Sequence, residues 1–336
     1  MSTAINDIPF SMISWEDASV EIEVLNQISL YDPYPTVLMM GKSMDTAITL
    51  AGISSFILRI YVLCHNDFEE ALLDLKINLL NTYSDPIDRM RFLLGTHTYD
   101  KMINMYLDLE QNMTNKIKFY WNKNKHLIFN GLIHQDSWMK LFRLIKYDQS
   151  PDKISRTFTY PILLKIMDQT STSYDSLGNS IKVPFSKYIR RVYEDLVEDY
   201  ESPFSNLIIN CQYDYRSYPK MFDSGIIDAY SLRAIRRSNG SVIQYILDYD
   251  EEYSMISLSN LTDVVTSVTE LEILIMHIIK HLKPNGRAIF RRRNTDIELY
   301  PLINNQMVII NHQFNQFIDH THLYNELIIA TPRSKK

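Results

Sequence analysis

Two short apolar runs mark the first 65 residues, and a helical period follows each of them. Val37–Met40 is continuously apolar and ends at Gly41. Phe56–Leu63 ("FILRIYVL") is β-branched and apolar. Runs of this length with no polar alternation predict core strands covered on both faces, the habit of parallel sheets. Asp45–Ala51 between them fits a crossover helix. "DFEEALLDLKINLLNTY" places Leu72, Leu75, Leu79 and Leu80 on one helical face, with Asp67 as its expected cap. The chain thus opens as βαβα.

The period then changes. From Asp85 to about Tyr200, apolar residues recur at helical spacing and strand signals are sparse. "PIDRMRFLLG", "YDKMINMYLDLEQNM" and "NKIKFYWNKNKHLIF" predict helices, with Gly95 and Gly131 as stops. Gln169–Pro184 predicts a polar loop. Strand character returns near Leu232. Tyr253–Asn260 alternates as a strand does, and Thr269–Leu282 predicts a helix stopped by Lys283-Pro284-Asn285-Gly286. Arg287–Arg292 predicts a further strand, and "QMVIIN" and "ELIIATP" a closing antiparallel pair. No internal repeat is present. The expected organisation is an α/β domain in two parts, 1–84 and 231–336, with a helical lobe inserted at 85–230.

Composition narrows the function classes. The 336 residues suffice for one large domain or two ordinary ones, and 46% hydrophobic with 22% charged residues is a globular balance. A net charge of −6 argues against a general nucleic-acid binder, which needs a basic face to displace counterions. Two cysteines, Cys64 and Cys211, cannot build a disulfide framework, so a reducing, cytoplasmic setting is expected. "MSTAINDIPF" carries no signal-peptide pattern. The apolar window Val37–Cys64 is interrupted by Lys42, Asp45 and Arg59, and Leu271–Leu282 is too short to span a bilayer. Peripheral membrane contact leaves a weaker trace and stays open.

Gly41-Lys42-Ser43 after a strand suggests a phosphate loop, but that loop needs a glycine five residues earlier, where Thr36 stands. What remains is strand, tight turn and helix start, the usual ligand edge of an open α/β sheet. His277 and His281 have a metal-compatible spacing without a surrounding zinc motif, so packing or dipole complementarity is expected and no metal. Arg291-Arg292-Arg293 reads as a solvated strand end, with a clamp for an anionic group as the alternative; alternation lets at most two share a face. The many Tyr and Met residues of the insert read as core, with a lipid-facing groove as the alternative.

"IIKHLKPNGRAIF" (Ile278–Phe290) resembles the segment before the fifth strand of S-adenosylmethionine-dependent methyltransferase folds. "FSMISWEDASVEIEVLN" (Phe10–Asn26) resembles the opening of a narrower group, the S-adenosylmethionine:diacylglycerol 3-amino-3-carboxypropyltransferases of betaine-lipid synthesis. The order of later segments is similar too: "NDFEEALLDLKINLL", an insert with Tyr120-Trp121, "NGSVIQYIL" and "SLSN". The resemblance covers most of residues 10–330.

The resemblance implies a Rossmann-like methyltransferase fold with a large inserted helical lobe, S-adenosyl-L-methionine as co-substrate and a lipid acceptor, diacylglycerol. It implies peripheral membrane contact and a partner N-methyltransferase activity, and no nucleic acid. Carried over residue by residue, it places Trp15, Asp17, Gly41, Ser43, Asp45, Ser259 and Asn260 around the cofactor, and Asn239, Gly240 and Ser241 near the adenine. Cys64 stands where the family has an acid for the ribose hydroxyls, and Asp67 is the nearby substitute. Asp263, after the fourth strand, is the candidate general base. Lys42 and Met44 depart from the small residues of the family's turn, and Asn260 replaces an Asp. These departures keep two alternatives in view: a catalytically degenerate member used for binding or scaffolding, and a related transferase with another acceptor.

Overall fold

The structure is a computed structural model that describes residues 12–53, 58–64, 66–146, 170–174, 180–199, 202–214, 218–228, 230–235, 251–259, 261–265, 267–292, 297–314, 324 and 326–333. Its first part runs α1 (Ser19–Ser29), β1 (Thr36–Met40), a 3-10 turn (Gly41–Ser43), α2 (Met44–Ile53), β2 (Arg59–Leu63) and α3 (Asp67–Thr82). Helices α4 (Pro86–Leu94), α5 (Tyr99–Asn112), α6 (Asn115–Lys123), α7 (Lys125–Phe129), α8 (Leu132–Gln135) and α9 (Ser137–Lys146) follow. Next come β3 (Thr170–Tyr174), β4 (Ser180–Pro184), α10 (Phe185–Glu198), α11 (Ser205–Asn210) and β5 (Leu232–Ile235). The chain closes with β6 (Tyr253–Ser257), α12 (Val268–Lys280), β7 (Leu282–Arg292), α13 (Leu299–Gln306), β8 (Met307–Phe314) and β9 (Glu326–Pro332).

Helix boundaries follow their caps. Asn66, not Asp67, caps α3, its side chain accepting from the Glu69 amide at 2.9 Å; Asp67 is the first helical residue. An acid in the first turn answers the dipole equally well, so the local sequence did not discriminate. Asp85 caps α4 with Pro86 inside it, and Gly95 ends it at φ +66, a left-handed conformation that glycine adopts without strain. Thr98, Thr114 and Ser267 cap α5, α6 and α12.

Two expectations change. The stretch read as a polar loop, 169–184, contains the antiparallel pair β3–β4, with Thr170 opposite Pro184 and Tyr174 opposite Ser180. Thr170, Thr172, Ile181 and Val183 supply its β-branched residues, a signal masked by Ser, Asp and Gly between the strands. Lys283–Gly286 does not simply separate helix from strand. Tyr253 pairs with Leu282 and Met255 with Arg287, so these four residues bulge from within β7.

Among the described residues, seven strands form one sheet in the order β5-β2-β1-β6-β7-β9-β8. β5, β2, β1, β6 and β7 are parallel, and β9 runs antiparallel to both β7 and β8. This is a Rossmann-like arrangement, and helices α3–α11 lie between β2 and β5 in the chain. Alternation along the strands divides the core. Val37, Met39, Ile60, Val62, Met255 and Ile289 face one layer, and Leu38, Met40, Leu63, Ile256, Ala288 and Phe290 the other. The first layer includes α1 and α3, and buried residues of α4–α9 continue the same core. Trp121 roots the insert, its Nε1 donating to the Ala71 carbonyl of α3 at 3.0 Å. The second layer is α12 and α13. Among the described residues, no helix is long and apolar enough to cross a membrane.

Candidate functional site

The strand order locates the ligand edge. The chain steps outward from β1 to β2 and β5, then returns on the other side of β1 as β6. Successive connections therefore diverge at β1 and β6, and the carboxyl ends of strands at such a divergence are where open α/β sheets bind ligands. Gly41-Lys42-Ser43 leaves β1 there, and Leu258-Ser259 leaves β6. Lys42 is exposed, while Met44 packs into the core.

A strap, residues 12–17, crosses this edge and is tied down by polar groups. The Ser14 amide donates to Asp45 Oδ2 at 2.8 Å, the Asp45 amide donates to Ser14 Oγ at 3.0 Å, and Ser14 Oγ donates to the Lys42 carbonyl at 2.7 Å. Lys76 Nζ lies 2.5 Å from Asp45 Oδ1 and donates to the Met12 carbonyl at 2.7 Å. Asp136 receives the Met12 amide at 2.7 Å and Trp15 Nε1 at 3.1 Å. Burial pushes the Asp136 carboxyl up, against the lowering effect of its hydrogen bonds from Met12, Trp15, Met139 and Trp138. The Trp15 ring stacks on Phe204, 4.8 Å between centroids. Trp15 and Asp45 are thus committed to protein partners, and their contribution to the edge is to hold the strap.

The other expected residues are distributed unevenly. Asp17 Oδ1 accepts from the Ser19 amide at 2.9 Å at the start of α1. Cys64 is buried at the end of β2, its Sγ 3.7 Å from the Val62 carbonyl. Asp67 is exposed and 3.3 Å from Lys116 Nζ. Ser43 is fully buried. Ser259 takes φ +54, a conformation costly for a side chain with a Cβ and concentrated at functional sites. Asp263 belongs to the 3-10 turn Leu261–Val264 that follows β6. Asn239, Gly240, Ser241 and Asn260 lie outside the described residues. His277 and His281 stack with centroids 6.5 Å apart, and among the described residues no group of three potential metal ligands forms.

Four side chains at the edge were not singled out by sequence reasoning or were read differently. The first is Glu69. A Cβ placed on Gly41 would lie 2.3 Å from Glu69 Oε2 and 3.2 Å from the Leu63 carbonyl. The carboxylate therefore rests over the bare Cα of the β1 turn, beside the end of β2. The other three are Glu16, Glu21 and Arg291. Arg291 is fully buried, gripping both oxygens of Glu21; Nη2–Oε2 is 2.9 Å. Ser257 Oγ donates to Glu21 Oε1 at 2.8 Å. Glu16 Oε2 lies 3.9 Å from Arg291 Nη1, and Glu16 Oε1 receives Tyr324 OH at 3.3 Å. Burial pushes the Glu16 carboxyl up; Arg291 opposes that shift and Glu21 adds to it. Arg292 points the other way, 3.6 Å from Glu326. The arginine run is therefore not a solvated end: two of its members are buried on opposite faces. A signal for Glu21 exists in the sequence, since it shares its helical face with Val24, Leu25 and Ile28. Nothing local distinguishes Glu69.

No family model matches the chain, and no curated protein sequence matches it significantly. Among solved structures, it is similar to the N-methyltransferase NodS from Bradyrhizobium japonicum WM9 at 13% identity and TM-score 0.23, covering 30% of this chain. The chain spans 61% of the NodS structure's length. It is also similar to the rRNA methyltransferase aviRa from Streptomyces viridochromogenes at 7% identity and TM-score 0.36, covering 94% of this chain and 84% of that one. Superpositions this loose say nothing of chemistry.

Proposed function

We propose that this protein is an S-adenosylmethionine-dependent transferase that moves a 3-amino-3-carboxypropyl group to a lipid hydroxyl, with diacylglycerol as the acceptor. The observation that carries the cofactor reading is the Gly41 turn at the topological switch point, bare of a Cβ and overlain by the Glu69 carboxylate. The acceptor and the transferred group rest on the sequence resemblance.

The residues present fit the cofactor. Gly41 lets the Glu69 carboxylate close on the backbone at the end of β1. Glu69 offers the carboxylate that Cys64 cannot, and charge-assisted bonds from vicinal hydroxyls are stronger than bonds to a thiol. Ser43 and Ser259 add hydroxyls at the ends of β1 and β6. When bound, the cofactor supplies a methylene carbon activated by its sulfonium and departs as methylthioadenosine. The protein's part is alignment of the acceptor hydroxyl and removal of its proton, for which Asp263 is the candidate base; such a base contributes about 10²–10⁴-fold. A lipid acceptor implies peripheral membrane contact, and the amine of the product is a substrate for a separate N-methylation.

The test is product analysis with S-adenosylmethionine and diacylglycerol vesicles. Methylthioadenosine and an aminocarboxypropyl lipid in equal amounts are expected. Methylthioadenosine without the lipid product identifies another acceptor, and S-adenosylhomocysteine identifies methyl transfer. A second reading, a degenerate scaffold, is favoured by Cys64 at the ribose position and by the commitment of Asp45 to Lys76. It predicts no thermal shift with either nucleoside, whereas ligand at a hundred times its dissociation constant adds about 2.7 kcal/mol.

A further inference from the structure

The strap at residues 12–17 engages the same groups that the cofactor reading assigns to a ligand. Ser14 Oγ receives the Asp45 amide at the start of α2 and donates to the Lys42 carbonyl, while the Ser14 amide donates to Asp45 Oδ2. Two residues on, the Glu16 carboxyl takes the hydroxyls of Ser43 and Ser259, at the ends of β1 and β6. The Gly41 turn lies under the Glu69 carboxylate. Burial agrees with this: Ser43 is 0%, Cys64 3%, Ser259 4% and Asp45 6% exposed. These edge groups are already paired or covered within the chain. A nucleoside reaches them only by displacing the strap.

The strap belongs to no helix or strand. The Met12 amide, the Met12 carbonyl and the Ser14 amide pair with the side chains of Asp136, Lys76 and Asp45. Water can replace such partners without breaking the sheet or a helix, so the strap can leave while the elements beneath it stay folded. Met12, Ile13 and Trp15 are buried in the core, and exposing them is unfavourable, so the closed state dominates. We propose that the strap is an autoinhibitory latch: residues 12–17 occupy the carboxyl edge as a built-in competitor, and a nucleoside binds only the minor population in which they are lifted. The latch governs access to the site of the cofactor reading and rests on that reading. A ligand that binds only a minor state has its affinity reduced by that state's population, so loosening the latch tightens binding. The sign of the effect separates a latch from a lid. A lid that closes over a ligand loses affinity when its ties are cut.

The experiment combines amide exchange with calorimetric titration of S-adenosylhomocysteine, in the wild type and in Ser14→Ala. That substitution cuts the ties to Lys42 and to the Asp45 amide and leaves Met12, Ile13 and Trp15 in place. It is expected to tighten S-adenosylhomocysteine about tenfold, the change that the loss of one or two ordinary hydrogen bonds from the closed state produces. The Met12 amide, whose own bond to Asp136 is untouched, is expected to exchange about tenfold faster, with β6 unchanged, because the strap lifts as one piece. In the wild type, saturating S-adenosylhomocysteine is expected to speed exchange of the Met12 and Ser14 amides, since the bound ligand holds the strap off. Unchanged or weaker binding by Ser14→Ala, or strap amides that ligand slows or leaves unchanged, overturns the latch while the cofactor reading stands. Binding to neither protein overturns the cofactor reading and the latch with it. The wild-type exchange comparison needs no variant, so a folding defect in Ser14→Ala leaves it decisive.

Discussion

Arg291 at the end of β7 and Glu21 in the first turn of α1 form a fully buried two-point ion pair between residues 270 apart in sequence. It pins the first helix to the far half of the sheet. Removing one partner leaves the other charged and dry. Arg291→Met is expected to cost about 3–5 kcal/mol, and adding Glu21→Leu to recover most of that, because a well-packed apolar pair often equals a buried ionic one. Urea midpoints at unchanged slope measure both. A double variant as unstable as the single one would show that the pair does more than neutralise itself.

Lys76 and Asp45 hold the strap in the same way. Lys76 is fully buried, with Nζ on Asp45 and on the Met12 carbonyl. Lys76→Met strands Asp45 and frees the strap, so a loss of about 3–5 kcal/mol is expected. Hydrogen exchange gives the more specific readout. The Met12 and Ser14 amides, which donate to Asp136 and Asp45, should exchange faster than amides of β6.

Gly41→Ala separates fold from site. The added Cβ collides with the end of a flexible side chain, the Glu69 carboxylate, more than with backbone. The carboxylate can swing away, so stability should fall by no more than about 1 kcal/mol. Methylthioadenosine affinity should drop at least tenfold, since the displaced group is the one assigned to the ribose. Calorimetry beside a melting curve distinguishes the two effects; retained affinity would remove Glu69 from the site.

Asp74 on α3 gives a pH signature. Burial raises its carboxyl to about 6, above the ordinary 3.8, against a lowering hydrogen bond from Asn78. A folded-state pKa above the unfolded one means the fold holds the proton more tightly. This contribution is therefore fully present below about pH 4 and is lost as pH rises to about 6. Asp74→Asn should stabilise the protein by about 1 kcal/mol at pH 7, a value discounted for partial exposure, and by nothing below pH 4. Denaturation at both pH values checks the sign.

The fold was legible where burial is symmetrical. Val37–Met40 has no polar face, so it had to be a strand covered on both sides, and the leucines of α3 declared their layer. The Gly41 turn was legible as the break between β1 and α2, because a strand ending in a glycine before a helix is local chemistry. Trp15-Glu16-Asp17 drew attention as a motif. Its division of labour was not readable: Trp15 serves Asp136, Asp17 starts α1, and Glu16 faces Arg291 and Tyr324.

Sequence by itself determined the period of each segment and hence the alternation of strands and helices, because a residue's preference to leave water depends on its own side chain and near neighbours. Only the tertiary structure decided which charges meet. Glu69 lies over Gly41, Lys76 reaches Asp45, and Arg291 chooses Glu21 over Glu16, because strand order brings together residues that no local spacing relates. In a dry interior the partner, more than the residue type, decides the charge state and role of a carboxyl.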